Sequence, residues 1–209
     1  MRIAMLGATG RTGRHALTVL LDRGHDVRVL VREPTTLGSL ASAVEVVQGD
    51  SRDEGAIARL LEDTDAVLSA LGPVGKDGTL HQDTAACLIV AMQAIGPRRF
   101  VGISGAGIDV PGDLKSRRDK LISALIRTVG GAVVADKPAE HACWAASGLD
   151  WTLVRPPRLT NGPATGLLEH DAHRSPRGTS LTRADLGAFL VTVVEDDLYP
   201  RAAPLIANR

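Results

Sequence analysis

Short apolar runs alternate with longer amphipathic segments along this chain, starting at its first residues. Ile3 to Leu6 is continuously apolar, which is typical of a strand buried on both faces of a parallel sheet. Apolar residues then recur at helical spacing from Ala16 to Leu21, and Gly24 ends that segment. The pattern predicts that the chain opens with a strand, a turn and a helix.

The same alternation continues to the end of the chain. Apolar runs predict further strands over 26–31, 44–48, 65–71, 99–104, 150–157 and 203–207. Helical spacing predicts helices near 57–61, over 80–95, over 136–147 and from 182 onward. Such alternation predicts an α/β fold, a Rossmann-like doubly wound parallel sheet. Since no repeat, linker or low-complexity tract interrupts it, we expect residues 1–209 to form a single domain with a small substrate-side C-terminal region.

Three segments depart from the alternation. Residues 74–78 are interpreted as a flexible rim near a substrate mouth, and 110–134 as a turn, a basic helix around 115–120 and an apolar run that could form a lid. Residues 158–178 are loop-rich and are expected to flank the substrate site. Asp136 is predicted to cap the helix that follows it, with Pro138 in the first turn.

The composition favours small-molecule chemistry. Lys and Arg number 24, and so do Asp and Glu, so nothing favours electrostatic capture of nucleic acid or an anionic membrane. Aromatic residues are 2% of the chain, which leaves few platforms for stacking bases. Cys87 and Cys143 lie in apolar helical runs and are interpreted as buried residues of a reducing compartment, so no metal site is predicted. No run has the length of a secretory or membrane-spanning segment, and we expect a soluble cytoplasmic protein.

The turn between the first strand and the first helix carries the clearest chemistry. Gly7, Gly10 and Gly13 give the spacing G-x-x-G-x-x-G, one residue wider at the front than the common dinucleotide fingerprint. Glycines there allow backbone N–H groups to approach a pyrophosphate at the positive end of the helix dipole. The residues between them, Thr9, Arg11 and Thr12, are predicted to share in cofactor binding.

The end of the second strand bears on the choice of cofactor. Arginine at this place suits the 2′-phosphate of NADP, whereas a carboxylate binds the free ribose hydroxyl of NAD. Arg32 occupies the strand end and Arg11 lies in the turn, so two guanidinium groups could converge on one phosphate. This favours NADP(H). The alternative is that both arginines are solvated and Glu33 binds the ribose.

Small and polar residues follow the later strands, where ligands bind in open parallel sheets. Asp50, with Ser51, follows the third strand and is interpreted as a helix cap or Asx turn. The loop after the fourth strand is expected to lie against the ribose and phosphates through Ala70, Leu71 and Gly72. Ser104 ends the fifth strand, where a hydroxyl is well placed for chemistry; an ordinary loop serine is the alternative.

Together these features resemble the atypical short-chain dehydrogenase/reductases, the NAD(P)H-binding or NmrA-like family, near the biliverdin IXβ reductase and flavin reductase group. The residues that carry the resemblance are Gly7 to Gly13, Arg32, Gly49-Asp50, Ser104, Asp136-Lys137 with Glu140, Ser147 to Pro157 and Arg183 to Leu186. The resemblance implies that Asp50 binds the adenine amino group and that Ser104 is an active-site serine. It also implies cofactor contacts at Lys137 and Pro156.

One departure from the family bears on mechanism. Better-known members use Tyr-x-x-x-Lys, in which the lysine helps the tyrosine to transfer a proton. The single tyrosine, Tyr199, lacks a lysine four residues later, and alignment on the segment 147–157 puts Val133 at the tyrosine position and Lys137 at the lysine position. Lys137 is then expected to hold the nicotinamide ribose, with an exposed lysine in a first helical turn as the alternative.

The sequence therefore predicts an NADPH-dependent reductase of a small conjugated acceptor such as a flavin, quinone or tetrapyrrole, with Ser104 and Lys137 as catalytic residues. His81, His170 and His173 are candidate proton donors or substrate contacts, and solvated loop residues are the alternative for the last two. The alternative functions are a non-catalytic NADP(H) sensor of the NmrA type, the one case that implies a protein partner, and a biosynthetic epimerase or ketoreductase with a non-tyrosine acid.

Overall fold

The computed structural model of the protein describes residues 1–73, 75, 77–116, 118, 120, 121, 123 and 131–209. At its centre lie the strands β1 (Arg2–Leu6), β2 (Asp26–Val31), β3 (Glu45–Gln48), β4 (Ala66–Ser69), β5 (Arg99–Ile103) and β6 (Asp150–Val154). Within the described chain they form one parallel sheet in the order β3-β2-β1-β4-β5-β6. The predicted Rossmann-like, doubly wound sheet is confirmed.

Helices cover both faces of this sheet. They are α1 (Gly13–Asp22), α2 (Glu54–Leu61), α3 (Leu80–Ile95), α4 (Gly131–Ala146) and α5 (Arg183–Glu195), with a 3₁₀ segment at Pro34–Ala43. Side chains alternate between the faces, so Ile3 and Met5 pack with α1 and α5, whereas Ala4 and Leu6 pack with α2 and α3. Both faces of β1 are thus buried, which is why its sequence is continuously apolar.

Short strands near the carboxyl terminus build a wall beyond the sheet. β7 (Arg158–Thr160) pairs in parallel with β9 (Ser180–Thr182), and β8 (Leu168–Asp171) pairs antiparallel with β10 (Leu205–Asn208). β10 also begins beside β6, where the Arg155 N–H donates to the Pro204 carbonyl oxygen at 2.8 Å. The sequence predicted loops over 158–178, because strands of three or four residues with distant partners leave no periodic signal.

The beginning of α4 differs from the prediction. The helix starts at Gly131, so Asp136 is not its cap and Pro138 lies inside the helix rather than in its first turn. Asp136 instead caps α3, through hydrogen bonds from the N–H groups of His81 and Gln82. A capping residue that belongs to another helix cannot be recognised from local sequence.

Two expected segments are only partly covered by the structure. Residues 74 and 76 of the expected rim, and 117, 119, 122 and 124–130 of the expected lid, lie outside the described residues, as does the side chain of Val133. In the part of the chain that is described, no helix combines the length and apolar character needed to cross a membrane.

Candidate active site

The glycine turn joins β1 to α1 and leaves no room for a side chain at its first and last glycines. Gly7 has a φ of +73°, and a Cβ there would lie 2.6 Å from the backbone of Ala70. A Cβ at Gly13 would lie 1.9 Å from the Gly7 carbonyl oxygen, which also accepts a 3.0 Å hydrogen bond from the Gly10 N–H. The turn therefore presents bare backbone at the start of α1, as a pyrophosphate site requires.

A small cavity of about 120 Å³ lies beside this turn, where β1, β2 and β3 end. Its lining includes six residues predicted to bind the cofactor, namely Gly7, Thr9, Arg32, Asp50, Ser51 and Leu71. Of the others near it, Ala70 and Thr12 are buried, while Gly72 and Arg11 are exposed. In folds of this kind the adenosine half of a dinucleotide lies at this edge.

Asp50 forms an Asx turn rather than a helix cap. Its Oδ1 accepts hydrogen bonds from the Arg52 N–H at 3.0 Å and from Arg52 Nε at 3.3 Å. The cap of α2 is Asp53, whose side chain accepts from the Ala56 N–H. Arg52 also binds Asp77 at 2.9 Å, and both side chains line the cavity. Sequence reasoning did not assign either of them to the cofactor site. Asp50 Oδ2 has no hydrogen bond within the described chain, which leaves an acceptor for a ligand.

Several arginine side chains lie near the glycine turn. Arg32 is exposed and lines the small cavity. Burial lowers the pKa of Arg183, at the start of α5, and the positive charge of Arg11 lowers it further. Arg14, which sequence reasoning missed, reaches the carbonyl oxygen of Thr36 beyond β2. Its place in the first turn after the glycines was the available signal.

Ser104 lies at the carboxyl edge of the sheet, directly after β5. Its N–H donates to the Val154 carbonyl oxygen at 2.8 Å, which fixes it beside the end of β6. The residue is 8% exposed, and its Oγ has no hydrogen-bond partner among the described residues. Because an unpaired buried hydroxyl costs free energy, this oxygen is suited to receive a ligand hydrogen bond.

Lys137 extends from α4 to the same edge. Its Nζ donates to the Ile103 carbonyl oxygen at 2.9 Å and lies 2.9 Å from Glu140 Oε2. Burial lowers the pKa of the Lys137 ammonium, and the negative charge of Glu140 offsets part of that effect. The alternative of an exposed lysine in a first helical turn is wrong, since the side chain is 16% exposed and six residues of α4 precede it.

His81 is held by an acidic partner from a neighbouring helix. Its Nδ1 and its backbone N–H both lie 2.8 Å from Asp136 Oδ2, and its Nε2 lies 3.3 Å from the Leu71 carbonyl oxygen. Both ring nitrogens therefore face oxygen atoms. The pair joins the start of α3 to α4.

A cavity of about 570 Å³ opens where β5 and β6 end, within the size range of small-molecule sites. Its walls come from the loop after β5, from Pro156 and its neighbours, from the loop before β9 and from β10. Glycine, proline and aliphatic side chains make up much of the surface. The polar side chains in it include His81, Lys115, Lys137 and Arg155.

A buried ionic cluster supports one wall of this cavity, and sequence reasoning missed it. Arg155 is fully buried, and its Nη1 and Nη2 each lie 2.7 Å from an oxygen of Asp113. Lys115 Nζ binds Asp109 at 3.0 Å and the carbonyl oxygens of Ala106 and Ile108, which belong to the loop after β5. The cluster thus fixes the backbone that follows Ser104.

The other candidate histidines and the tyrosine lie elsewhere. His170 Nδ1 is 2.6 Å from the Tyr199 hydroxyl, beside Phe189, and His173 is exposed. Burial lowers the pKa of His170 and raises that of Tyr199. Within the described residues, His81 is the candidate histidine that lines the larger cavity.

The strand order, the glycine turn after the first strand and the cavities at the carboxyl edge define a dinucleotide-binding protein of the Rossmann class. Sequence comparison narrows this class. The model of a family described as NAD(P)H-binding matches residues 7–197. The chain belongs to this NAD(P)H-binding family and is an atypical, NmrA-like short-chain dehydrogenase/reductase.

Its relatives include proteins named as reductases. The chain is 33% identical over 156 residues to (4-alkanoyl-5-oxo-2,5-dihydrofuran-3-yl)methyl phosphate reductase of Streptomyces griseus, covering 74% of this chain but 46% of that protein. It is 25% identical over 207 residues to phenylcoumaran benzylic ether reductase PT1 of Pinus taeda, covering 94% of this chain and 62% of the relative. The chain thus spans less than two thirds of both proteins.

A solved structure shows the same fold. Anaerobillin reductase ChuY of Escherichia coli O157:H7 has a TM-score of 0.80 and 20% sequence identity to this chain, covering 100% of it and 97% of ChuY.

Proposed function

We propose that this protein is an NADPH-dependent reductase that transfers hydride to a small conjugated acceptor, such as a flavin, a quinone or a tetrapyrrole-like molecule. The observation that carries the proposal is the cavity of about 570 Å³ beyond Ser104, with its largely apolar lining. It lies at the carboxyl edge of the sheet, where the nicotinamide half of the cofactor binds in this fold. A flat acceptor can stack there with water excluded.

The residues present fit a nicotinamide dinucleotide. A side chain would clash at Gly7 and Gly13, as expected of a backbone surface that takes a pyrophosphate, and the unpartnered Ser104 Oγ suits the carboxamide or the acceptor. When bound, the reduced cofactor supplies the hydride. In this proposal Lys137 holds the nicotinamide ribose, Asp50 the adenine and Pro156 the wall beside the nicotinamide.

The proton needs no tyrosine. A conjugated acceptor spreads the negative charge that it gains over several atoms, so its proton can come from solvent. His81 also lines the cavity, where Asp136 and the Leu71 carbonyl oxygen hold its ring. The name of the Streptomyces relative supports this acceptor class, since it describes an oxo-dihydrofuran ring with an alkanoyl substituent.

Turnover with a panel of acceptors tests the proposal. The purified protein is mixed with NADPH and flavins, quinones or tetrapyrroles, and the NADPH absorbance is followed. We expect NADPH to be consumed with at least one class of acceptor. Tyr199→Phe should consume NADPH at the same rate, because the Tyr199 hydroxyl is hydrogen-bonded to His170 and does not line the cavity. If NADPH binds but is not consumed with any acceptor, the proposal of a reductase is wrong, and the function of an NADP(H) sensor is favoured.

Arg32 is expected to set the cofactor preference. Arg32→Asp should weaken NADPH binding by about tenfold or more and leave NADH binding nearly unchanged, because a guanidinium binds the 2′-phosphate in a forked, charge-assisted contact. Titration of each cofactor by fluorescence measures this. Arg59→Asp, an equal change of charge at an exposed position of α2, is the control. An unchanged preference in Arg32→Asp would refute the phosphate contact.

A further inference from the structure

The charged side chains that line the larger cavity are all cationic. They are Lys115, Lys137, Arg155 and Arg158. Among the described residues, no aspartate or glutamate contributes to the lining. A cavity with charges of one sign selects for ligands of the opposite sign, so the question is which of these charges is available to a ligand.

Three of the four cations already have carboxylate partners behind the cavity wall. Arg155 binds Asp113, Lys115 binds Asp109 at 3.0 Å, and Lys137 binds Glu140 at 2.9 Å. These pairs are close to neutral as units, and they leave little charge for a bound molecule.

Arg158 is different. It is exposed, it lines the cavity, and its side chain has no hydrogen bond or ion pair within the part of the chain that the structure describes. Its backbone is nevertheless fixed, because it opens β7 opposite Ser180 of β9 and follows two prolines. The hydroxyl-bearing residues Ser175 and Thr179 line the same cavity.

We infer that the acceptor carries an anionic group, a carboxylate or a phosphate, and that Arg158 binds this group at the mouth of the cavity. The inference rests on the proposed function and adds to it the charge of the substrate. A guanidinium on a fixed strand end can form two parallel hydrogen bonds to either group. The flat conjugated part of the acceptor then lies inward, against the apolar walls and Ser104.

Matched ligand pairs test this without relying on turnover. FMN and riboflavin share one ring system and differ by a phosphate, while biliverdin and its dimethyl ester differ by two free carboxylates. Affinity is measured by calorimetry for the protein saturated with NADP⁺. We expect the anionic member of at least one pair to bind about tenfold more tightly, and which pair shows the difference separates phosphate from carboxylate.

Substitution at Arg158 assigns the preference. Arg158→Ala should remove the difference between the two members of the pair, with the affinity of the neutral member unchanged, and Arg158→Lys should keep part of it because a point charge lacks the fork. Arg158→Gln repeats the test if the alanine variant folds poorly. Arg177→Ala removes a nearby exposed cation outside the lining and should keep the preference.

The outcomes separate this inference from the proposed function. Equal affinities within both pairs, no binding of any of the four ligands, or a preference that survives Arg158→Ala would overturn the role of Arg158. NADPH consumption with riboflavin but no preference for FMN or biliverdin would overturn it while keeping the reductase. Arg158-dependent binding without NADPH consumption would support it while counting against the reductase.

Discussion

Replacing Asp113 by alanine is expected to lower the free energy of unfolding by about 3–5 kcal/mol, because it leaves a buried guanidinium without its counter-ion. Arg155 is fully buried, and each of its terminal nitrogens lies 2.7 Å from an oxygen of this carboxylate. Lys115 Nζ lies 4.0 Å from the same carboxylate. Unfolding in denaturant, followed by circular dichroism, measures the loss.

A double variant separates the unpaired charge from lost packing. Adding Arg155→Met to Asp113→Ala removes both charges, and most of the lost stability should return. A loss below about 1 kcal/mol in Asp113→Ala alone would contradict the ionic account.

The pH dependence has a definite sign. Burial raises the pKa of Asp113, but hydrogen bonds from Arg155 and the Val110 N–H, with the charge of Arg155, lower it below its usual value on balance. Stability from this carboxylate is therefore present above the unfolded pKa of about 3.9 and is lost as pH falls through the lower folded value.

Gly13→Ala is expected to weaken NADPH binding by about a hundredfold and to lower the melting temperature. The new Cβ would lie 1.9 Å from the Gly7 carbonyl oxygen, so the turn must be rebuilt and its N–H groups must move off the pyrophosphate. Loss of two such charge-assisted hydrogen bonds, at about 1.5 kcal/mol each, amounts to about 3 kcal/mol, which is slightly more than a hundredfold in affinity. Thermal unfolding with and without NADPH, together with a fluorescence titration, measures both changes.

Gly55→Ala is the control for this change. Gly55 is exposed in the first turn of α2, and its new Cβ would approach only the flexible side chains of Asp53 and Arg59. We expect a normal affinity for NADPH and a melting temperature close to that of the unchanged protein. If Gly13→Ala behaved like Gly55→Ala, the turn would not be the pyrophosphate site.

Much of the fold could be predicted because its signals are local. A strand buried on both faces must be apolar along its length, as from Ile3 to Leu6 and from Ala66 to Leu68, whose residues are all buried. The 3₁₀ segment at Pro34–Ala43 and the strands β7, β8 and β9 gave no such pattern, since they are short and only partly buried. Local signals also misled at Asp136, a good capping residue placed inside a helix.

The residues of the candidate site likewise divide into those that local sequence predicted and those that it missed. Gly7, Arg32, Asp50 and Ser104 were predicted because each follows a recognisable strand, and the structure puts them at one edge of the sheet. Arg52 and Lys115 were missed because their roles depend on partners that local sequence does not reveal. The single tyrosine, Tyr199, does not line either cavity, and its hydroxyl is hydrogen-bonded to His170 instead.

The sequence by itself determined the α/β alternation, the glycine turn and the position along the chain of each strand in the central sheet, because burial and backbone sterics act within a few residues. Only the tertiary structure decided that Asp136 would hold His81 from 55 residues away, and that Asp113 would neutralise Arg155 across 42 residues. It also decided that Arg158 would line the cavity without a partner in the described chain. Such pairings depend on how whole helices and strands pack. The cationic side chains that packing leaves without a carboxylate partner are the ones available to bind a ligand.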